Sequence, residues 1–172
     1  MRAALLAILP GAFAVLTGCN GERGPDPTVG AFDAKAAEFI KKEGKATITG
    51  HAFLRRSNGV VVNAAGETVR LVPVTPYSQA RFVKLYNGQT FIAAGSIPKV
   101  DPDPLYASYT RTTKAESSGK FEFDKVGPGT YYVATQLTWN DQAIKPEGGA
   151  MFETVTITGK ETEPVKIILS GK

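Results

Sequence analysis

The sequence predicts an all-β protein in which about seven short antiparallel strands form a sandwich. From Lys45 onward, polar and apolar residues alternate with a period of two, most clearly over residues 120–124, as in strands that bury one face. Glycine and proline are frequent, at 18 and 11 of 172 residues, which favours many tight connections. The predicted strands cover residues 47–51, 68–74, a segment from about 110, 120–124, 130–139, 152–158 and 165–170.

Turn sequences flank the predicted strand at residues 120–124. In Gly-Pro-Gly-Thr at residues 127–130, Pro128 and Gly129 suit the two central positions of a type II turn, because proline fixes the first φ and glycine accepts the positive second φ. Ser-Ser-Gly-Lys at residues 117–120 predicts another tight connection. We therefore expect residues 110–139 to form three consecutive strands of one meander.

The same region resembles the carboxypeptidase regulatory-like domain. That family's usual pattern is an acidic residue, Gly-x-Phe-x-Phe, a Pro-Gly turn and Tyr-x-Val; here Glu116 precedes Gly-Lys-Phe-Glu-Phe at residues 119–123, and residues 126–133 read Val-Gly-Pro-Gly-Thr-Tyr-Tyr-Val. The resemblance covers roughly residues 45–169 and implies a seven-stranded, prealbumin-like (transthyretin-like) sandwich. It implies almost nothing about activity, because one fold hosts many functions.

The N-terminus has the pattern of a bacterial export signal. Arg2 is followed by an apolar run over residues 3–16, shorter than the about 20 residues of a membrane-spanning helix. Leu16-Thr17-Gly18-Cys19 then resembles a lipobox. The resemblance implies cleavage between Gly18 and Cys19, and a lipoprotein held in the bilayer by diacylglycerol on Cys19 with a further acyl chain such as palmitate. Ordinary cleavage that leaves a free thiol is the alternative.

The chain is expected to comprise a signal peptide (residues 1–18), a flexible tether (19–31), a short amphipathic helix (32–44) and a β-sandwich domain (45–172). The tether is expected because three glycines and two prolines occur in residues 20–30 with little to bury. Residue 20 is Asn, whereas in enteric bacteria an Asp there retains lipoproteins in the inner membrane. By that resemblance, the cell outer membrane is the favoured location.

A long insertion interrupts the strand pattern at residues 75–109. It is rich in aromatic residues, which speaks against disorder, and residues 78–86 could form one helix. We weigh two interpretations: a structural flap over one sheet, or a binding surface for an envelope protein or a carbohydrate. Aromatic and arginine side chains are typical of such surfaces. The candidate binding residues are Tyr77, Arg81, Phe82, Tyr86 and Trp139.

Residues suited to catalysis are few. His51 is the sole histidine and Cys19 the sole cysteine, so a histidine- or cysteine-based zinc site is not expected, and no cofactor motif is present. The basic residues are scattered despite a net charge of +4, so nucleic-acid binding is not expected. The sequence therefore predicts a non-catalytic, membrane-anchored binding or structural module.

The alternative function is a carboxylate-dependent hydrolase of envelope polysaccharide or peptidoglycan. It would need two acids that converge in one cleft, because glycoside cleavage uses paired carboxyl groups at a fixed separation. The candidate acids are Asp101, Asp103, Asp141 and Glu147.

Overall fold

The computed structural model describes residues 26, 28–140 and 146–171, and within them the fold is built of β-strands. No helix in these ranges is long and apolar enough to cross a membrane. The strands are β1 (Glu43–Arg55), β2 (Val61–Asn63), β3 (Thr68–Pro73), β4 (Phe91–Ala93), β5 (Arg111–Lys114), β6 (Lys120–Val126), β7 (Gly129–Asn140), β8 (Pro146–Ile157) and β9 (Val165–Ser170). The helices are α1 (Ala34–Ala37) and α2 (Pro76–Tyr86).

The strands form two sheets. In the first sheet, the long strand β1 pairs antiparallel with β6 and β2 and parallel with β9. The second sheet has the order β4-β8-β7-β3-β5 and is antiparallel throughout. The predicted all-β sandwich is confirmed, but the described residues form nine strands instead of seven. The two extra strands, β2 and β4, have three residues each, which is too short to show alternation.

The main core lies between the two sheets. Ile48 and Leu169 of the first sheet and Leu71, Val133 and Met151 of the second are all fully buried. Each such aliphatic side chain stabilises the fold by about 1.5–3 kcal/mol relative to exposure. This burial explains the period-two pattern that predicted the strands.

The predicted meander at residues 110–139 is wrong. β5 pairs with β3, β6 pairs with β1, and β7 pairs with β3 and β8, so these consecutive strands alternate between sheets. Residues 127 and 128 therefore carry the chain from β6 in one sheet to β7 in the other and are not a turn that joins paired strands. Gly129 has φ +155°, and a Cβ there would lie 2.5 Å from the Phe39 ring. Local composition signals a change of direction but not which sheet the next strand joins.

The segment before β1 is packed on the domain. Asp33 caps α1, since its side chain accepts hydrogen bonds from the backbone N–H groups of Lys35 and Ala36. A 3₁₀ turn over Glu38–Lys41 follows, so the segment expected as a helix over residues 32–44 is helical only in its middle. Ile40 reaches the main core.

The last residues of the predicted tether also contact the domain. Val29 is buried beside Tyr77 and Val100 of the insertion. Lys84 on α2 donates hydrogen bonds to the Asp26 carboxylate and to the Thr28 hydroxyl. Residues 26, 28 and 29 are therefore held against the insertion. The signal peptide, Cys19 and the start of the tether lie outside the described residues.

Candidate functional site

The insertion folds back over the outer face of the second sheet. Its helix α2 begins with a capping box: the Thr75 hydroxyl accepts from the Ser78 backbone N–H at 3.2 Å, and the Ser78 hydroxyl accepts from the Thr75 N–H at 2.8 Å. Such capping satisfies helix N–H groups that lack intrahelical partners. The helix ends at Asn87, whose left-handed φ of 49° turns the chain back. The helix predicted over residues 78–86 is therefore present and begins two residues earlier.

Aromatic rings attach α2 to the sheet. Phe82 stacks on Tyr132 of β7 with ring centroids 4.2 Å apart, and it meets Phe152 of β8 edge-on at 4.9 Å. Tyr86 also contacts Phe152, at 4.6 Å. Aromatic pairs in such arrangements contribute about 0.5–1.5 kcal/mol each beyond the burial of their area. The helix thus covers one part of the outer sheet face.

Beside the helix, the insertion and the sheet enclose an open cleft of about 560 Å³. Its floor includes Arg70, Ala134 and Ala150, which project from neighbouring strands of the sheet. The two alanines leave depth where larger side chains would fill the space. The walls come from α2 and from the loop after β4; they include Arg81, Leu85, Tyr86, Ile97, Pro98, Lys99, Val100, Pro102 and Tyr106. This size and mixed lining suit a small-molecule site.

Tyrosine hydroxyls and guanidinium groups provide the polar chemistry of the cleft. Burial raises the pKa of Tyr86 to about 12, although the charges of Arg70 and Arg81 oppose the shift. Burial also raises the pKa of Tyr106, again against the opposing charges of Arg81 and Arg70. Both hydroxyls therefore stay protonated at neutral pH and can donate hydrogen bonds. Both also experience the positive charges of Arg70 and Arg81.

Arg81 also fixes the loop that forms one wall of the cleft. Its Nη1 donates to the carbonyl oxygen of Val100 at 2.8 Å, and its guanidinium lies 5.5 Å from the centroid of the Tyr106 ring. Tyr77 also holds this loop, since its hydroxyl accepts a hydrogen bond from the backbone N–H of Asp103 at 2.7 Å. The wall opposite the helix is thus positioned by side chains of the helix itself.

The structure brings four of the five predicted binding residues into one helix but gives them different roles. Tyr77, Phe82 and Tyr86 are only 4–6% exposed, because they pack under the insertion, whereas Arg81 is half-buried. Of the four, Arg81, Phe82 and Tyr86 line the cleft. The insertion is a flap that packs on the sheet, and the open surface is the cleft that this flap helps to form.

Trp139 lies apart from the other four. It points to the opposite face of β7, where it packs against the main core. Its indole N–H donates to the Glu147 carboxylate at 2.8 Å, and the Arg56 guanidinium lies 5.1 Å from its ring. The structure therefore does not bring Trp139 to the cleft.

Sequence reasoning missed Arg70, Tyr106 and Gln136, which also line the cleft. A signal for Arg70 was present: strand alternation places it on the face opposite Val69 and Leu71, next to the apolar Val72. An outward-facing valine beside an arginine indicates a sheet face that another element covers in part. Only the packing of the insertion reveals that Tyr106 faces the same space.

The candidate acids do not converge in the cleft. No Asp or Glu of the described residues lines it. Asp103 accepts a hydrogen bond from the Leu105 N–H, and Glu147 accepts from Trp139; Asp101 is half-buried in the loop, and Asp141 lies outside the described residues. Nor do three or more His, Cys, Asp or Glu side chains cluster for a metal within the described ranges.

His51 has a structural environment. It lies on β1, where its Nε2 is 3.1 Å from the Asn63 side-chain oxygen and its ring is 4.9 Å from that of Phe53. This contact links β1 to the last residue of β2, and His51 does not line the cleft.

A second concavity, of about 530 Å³, lies near the end of β6. It is lined mainly by polar residues, among them Lys41, Tyr109, Arg111 and Asp124. Two of its cations have partners within it: the Lys41 Nζ lies 3.6 Å from the centroid of the Tyr109 ring, and Arg111 is 3.5 Å from the Asp124 carboxylate. The cleft beside α2 has more apolar and aromatic lining and is the better candidate.

Fold and cleft together define a β-sandwich protein whose second sheet carries a binding-type cleft on its outer face. Among solved structures, the chain is similar to a protein of Pseudomonas aeruginosa described as a "putative carbohydrate binding protein". The two are 28% identical with a TM-score of 0.69, and the match covers 81% of this chain and 97% of the other. No family model matches the chain, and no curated protein matches it.

Proposed function

We propose that this chain is a non-catalytic carbohydrate-binding module of the bacterial envelope, and that the cleft between α2 and the second sheet binds the sugar. The cleft itself is the observation that carries the proposal. Its Leu85, Ile97 and Pro98 walls offer apolar contact, while Tyr86 and Tyr106 offer protonated hydroxyls. Sugar rings present both apolar C–H faces and hydroxyl groups, so they need both kinds of contact.

The likeness to the Pseudomonas aeruginosa protein supports the carbohydrate-binding part of this proposal. It extends over 81% of this chain and 97% of the other. The absence of lining carboxylates among the described residues favours binding over glycoside cleavage, which uses two carboxyl groups.

We further propose that the sandwich is of the prealbumin-like, carboxypeptidase regulatory-like type, and that Cys19 anchors it through lipid in the outer membrane. The motif at residues 119–133 supports the first proposal, and the lipobox at residues 16–19 supports the second. The anchor would keep the cleft near the polysaccharides of the envelope.

A glycan array probed with the full chain tests the carbohydrate proposal. The chain is kept in an oxyethylene detergent, which carries no sugar that could compete. We expect a set of related glycans to bind saturably, with affinities that calorimetry confirms. Absence of saturable binding to any glycan on the array would refute the proposal.

A further inference from the structure

The cleft is positively charged. Arg70, Arg81 and Lys99 line it, and no carboxylate of the described part of the chain does so. Resting on the proposed carbohydrate function, we propose that the ligand is an acidic sugar: a uronate whose ring carboxylate binds between Arg70 and Arg81.

The cleft arginines differ from three other cations in the described part of the chain, each of which forms an ion pair. Lys84 pairs with Asp26, Arg111 with Asp124, and Lys125 with Glu43. By contrast, neither Arg70 nor Arg81 has an ion-pair partner among the described residues. A concave site with two cations and no counter-charge attracts anions, because opposing walls concentrate the field.

Arg70 is placed for direct recognition. It projects from β3, where its Cα partners are Ala134 on β7 and Thr112 on β5. Both neighbours are small, so the guanidinium has room to meet a ligand. The Arg70 side chain makes no hydrogen bond to a described residue, and Arg70 is exposed to solvent. A planar guanidinium matches a carboxylate with two parallel hydrogen bonds.

The tyrosines add donors but no negative charge. Since burial raises the pKa of Tyr86 and of Tyr106, both hydroxyls remain neutral across the physiological range. They can therefore donate to a carboxylate without repelling it. The apolar C–H face of the sugar would then rest on the floor formed by Ala134 and Ala150.

The test compares trigalacturonate with its fully methyl-esterified form, which keeps the sugar and removes the charge. Calorimetry uses the full chain in the same detergent at low salt. We expect the acid to bind about tenfold more tightly or better, the difference expected between charged and neutral hydrogen-bond partners. We expect Arg70→Gln to weaken binding of the acid about tenfold or more and to remove most of the preference for the acid over the ester.

Lys166→Gln is the matched control, because Lys166 is an exposed cation on β9 of the other sheet and its loss changes net charge equally. It should leave the preference for the acid intact. Equal binding of acid and ester, or equal effects of the two variants, would refute the acidic-sugar inference but leave the carbohydrate function standing. Equally tight binding of polyglutamate would also refute the inference, since it would show attraction to any polyanion. Failure of every glycan would refute the function as well.

Discussion

Phe82 and Tyr132 stack with their ring centroids 4.2 Å apart and their planes 19° apart. This contact joins the insertion helix α2 to strand β7 of the second sheet. The same helix carries Arg81 and Tyr86 into the cleft. The stacked pair therefore links the stability of the insertion to the shape of the candidate site.

Removing the Phe82 ring should loosen the whole insertion. Phe82 is 6% exposed, and truncation of a buried phenylalanine to alanine typically costs about 3–5 kcal/mol. We expect Phe82→Ala to lower the free energy of unfolding by about that amount, as measured by urea denaturation. Val83→Ala on the same helix is the control, because Val83 is 64% exposed and should change stability by less than about 0.5 kcal/mol. Similar losses for both variants would contradict the packing described.

A bulky residue at the edge of the cleft should block ligand entry without unfolding the protein. Thr112 is exposed on β5 and lines the cleft. We expect Thr112→Trp to weaken binding of the best array glycan about tenfold or more, a loss of at least about 1.4 kcal/mol. Thr154→Trp is the matched control, since Thr154 is exposed on β8 of the same sheet but does not line the cleft. Calorimetry that finds both variants unaffected would place the ligand elsewhere.

The contact between Asp26 and Lys84 should be visible in the titration of Asp26. Hydrogen bonds from Lys84 and Thr28 lower the pKa of this carboxyl from 3.8 to about 2. Because the folded pKa is the lower one, the stabilisation is complete above pH 3.8 and is lost as the pH falls through about 2. Carbon-13 NMR should give that midpoint, and Lys84→Met should move it upward.

Glu161 provides an internal control for that titration. Its pKa is also lowered to about 2, by hydrogen bonds from the backbone and hydroxyl of Thr158 and from other backbone N–H groups. These donors do not involve Lys84, so the Glu161 midpoint should be the same in both proteins. An Asp26 midpoint unmoved by Lys84→Met would show that Lys84 does not hold the segment before α1.

Lipidation of Cys19 predicts a specific mature N-terminus. Mass spectrometry of the chain from a bacterial membrane fraction should find a peptide that begins at Cys19 and carries diacylglycerol and an acyl chain. Each buried CH₂ group contributes about 0.8 kcal/mol to membrane binding. Cys19→Ser should therefore shift the chain to the soluble fraction. An unmodified Cys19 in soluble wild-type protein would contradict the anchor.

Much of the fold follows from local patterns in the sequence. Alternation predicted the strand at residues 165–170 because each residue there either faces the core, as Leu169 does, or faces solvent, as Ile168 does at 60% exposure. Which strands pair with each other was harder to predict from the sequence. β9 lies parallel to β1 more than a hundred residues away in sequence, and no local pattern encodes that choice.

The candidate site was predictable only in part. The aromatic residues of the insertion indicated an ordered segment with a role, and Arg81 and Tyr86 do line the cleft. Sequence could not show that Phe82 and Tyr77 face inward, because a helix on a sheet buries whichever side the sheet face complements. Nor could it show that Arg70 and Tyr106 line the same cleft, since they come together only when the insertion folds onto the second sheet.

The most direct test of the central claim is a map of where a sugar binds. We propose NMR titration of the full chain with the best glycan from the array, following backbone amide shifts. The account predicts the largest changes at Arg70, Ala134 and Ala150 on the cleft floor, and at Tyr106 in its wall. Changes confined to another surface, such as that around Trp139 and Glu147, with the cleft residues unmoved, would contradict it.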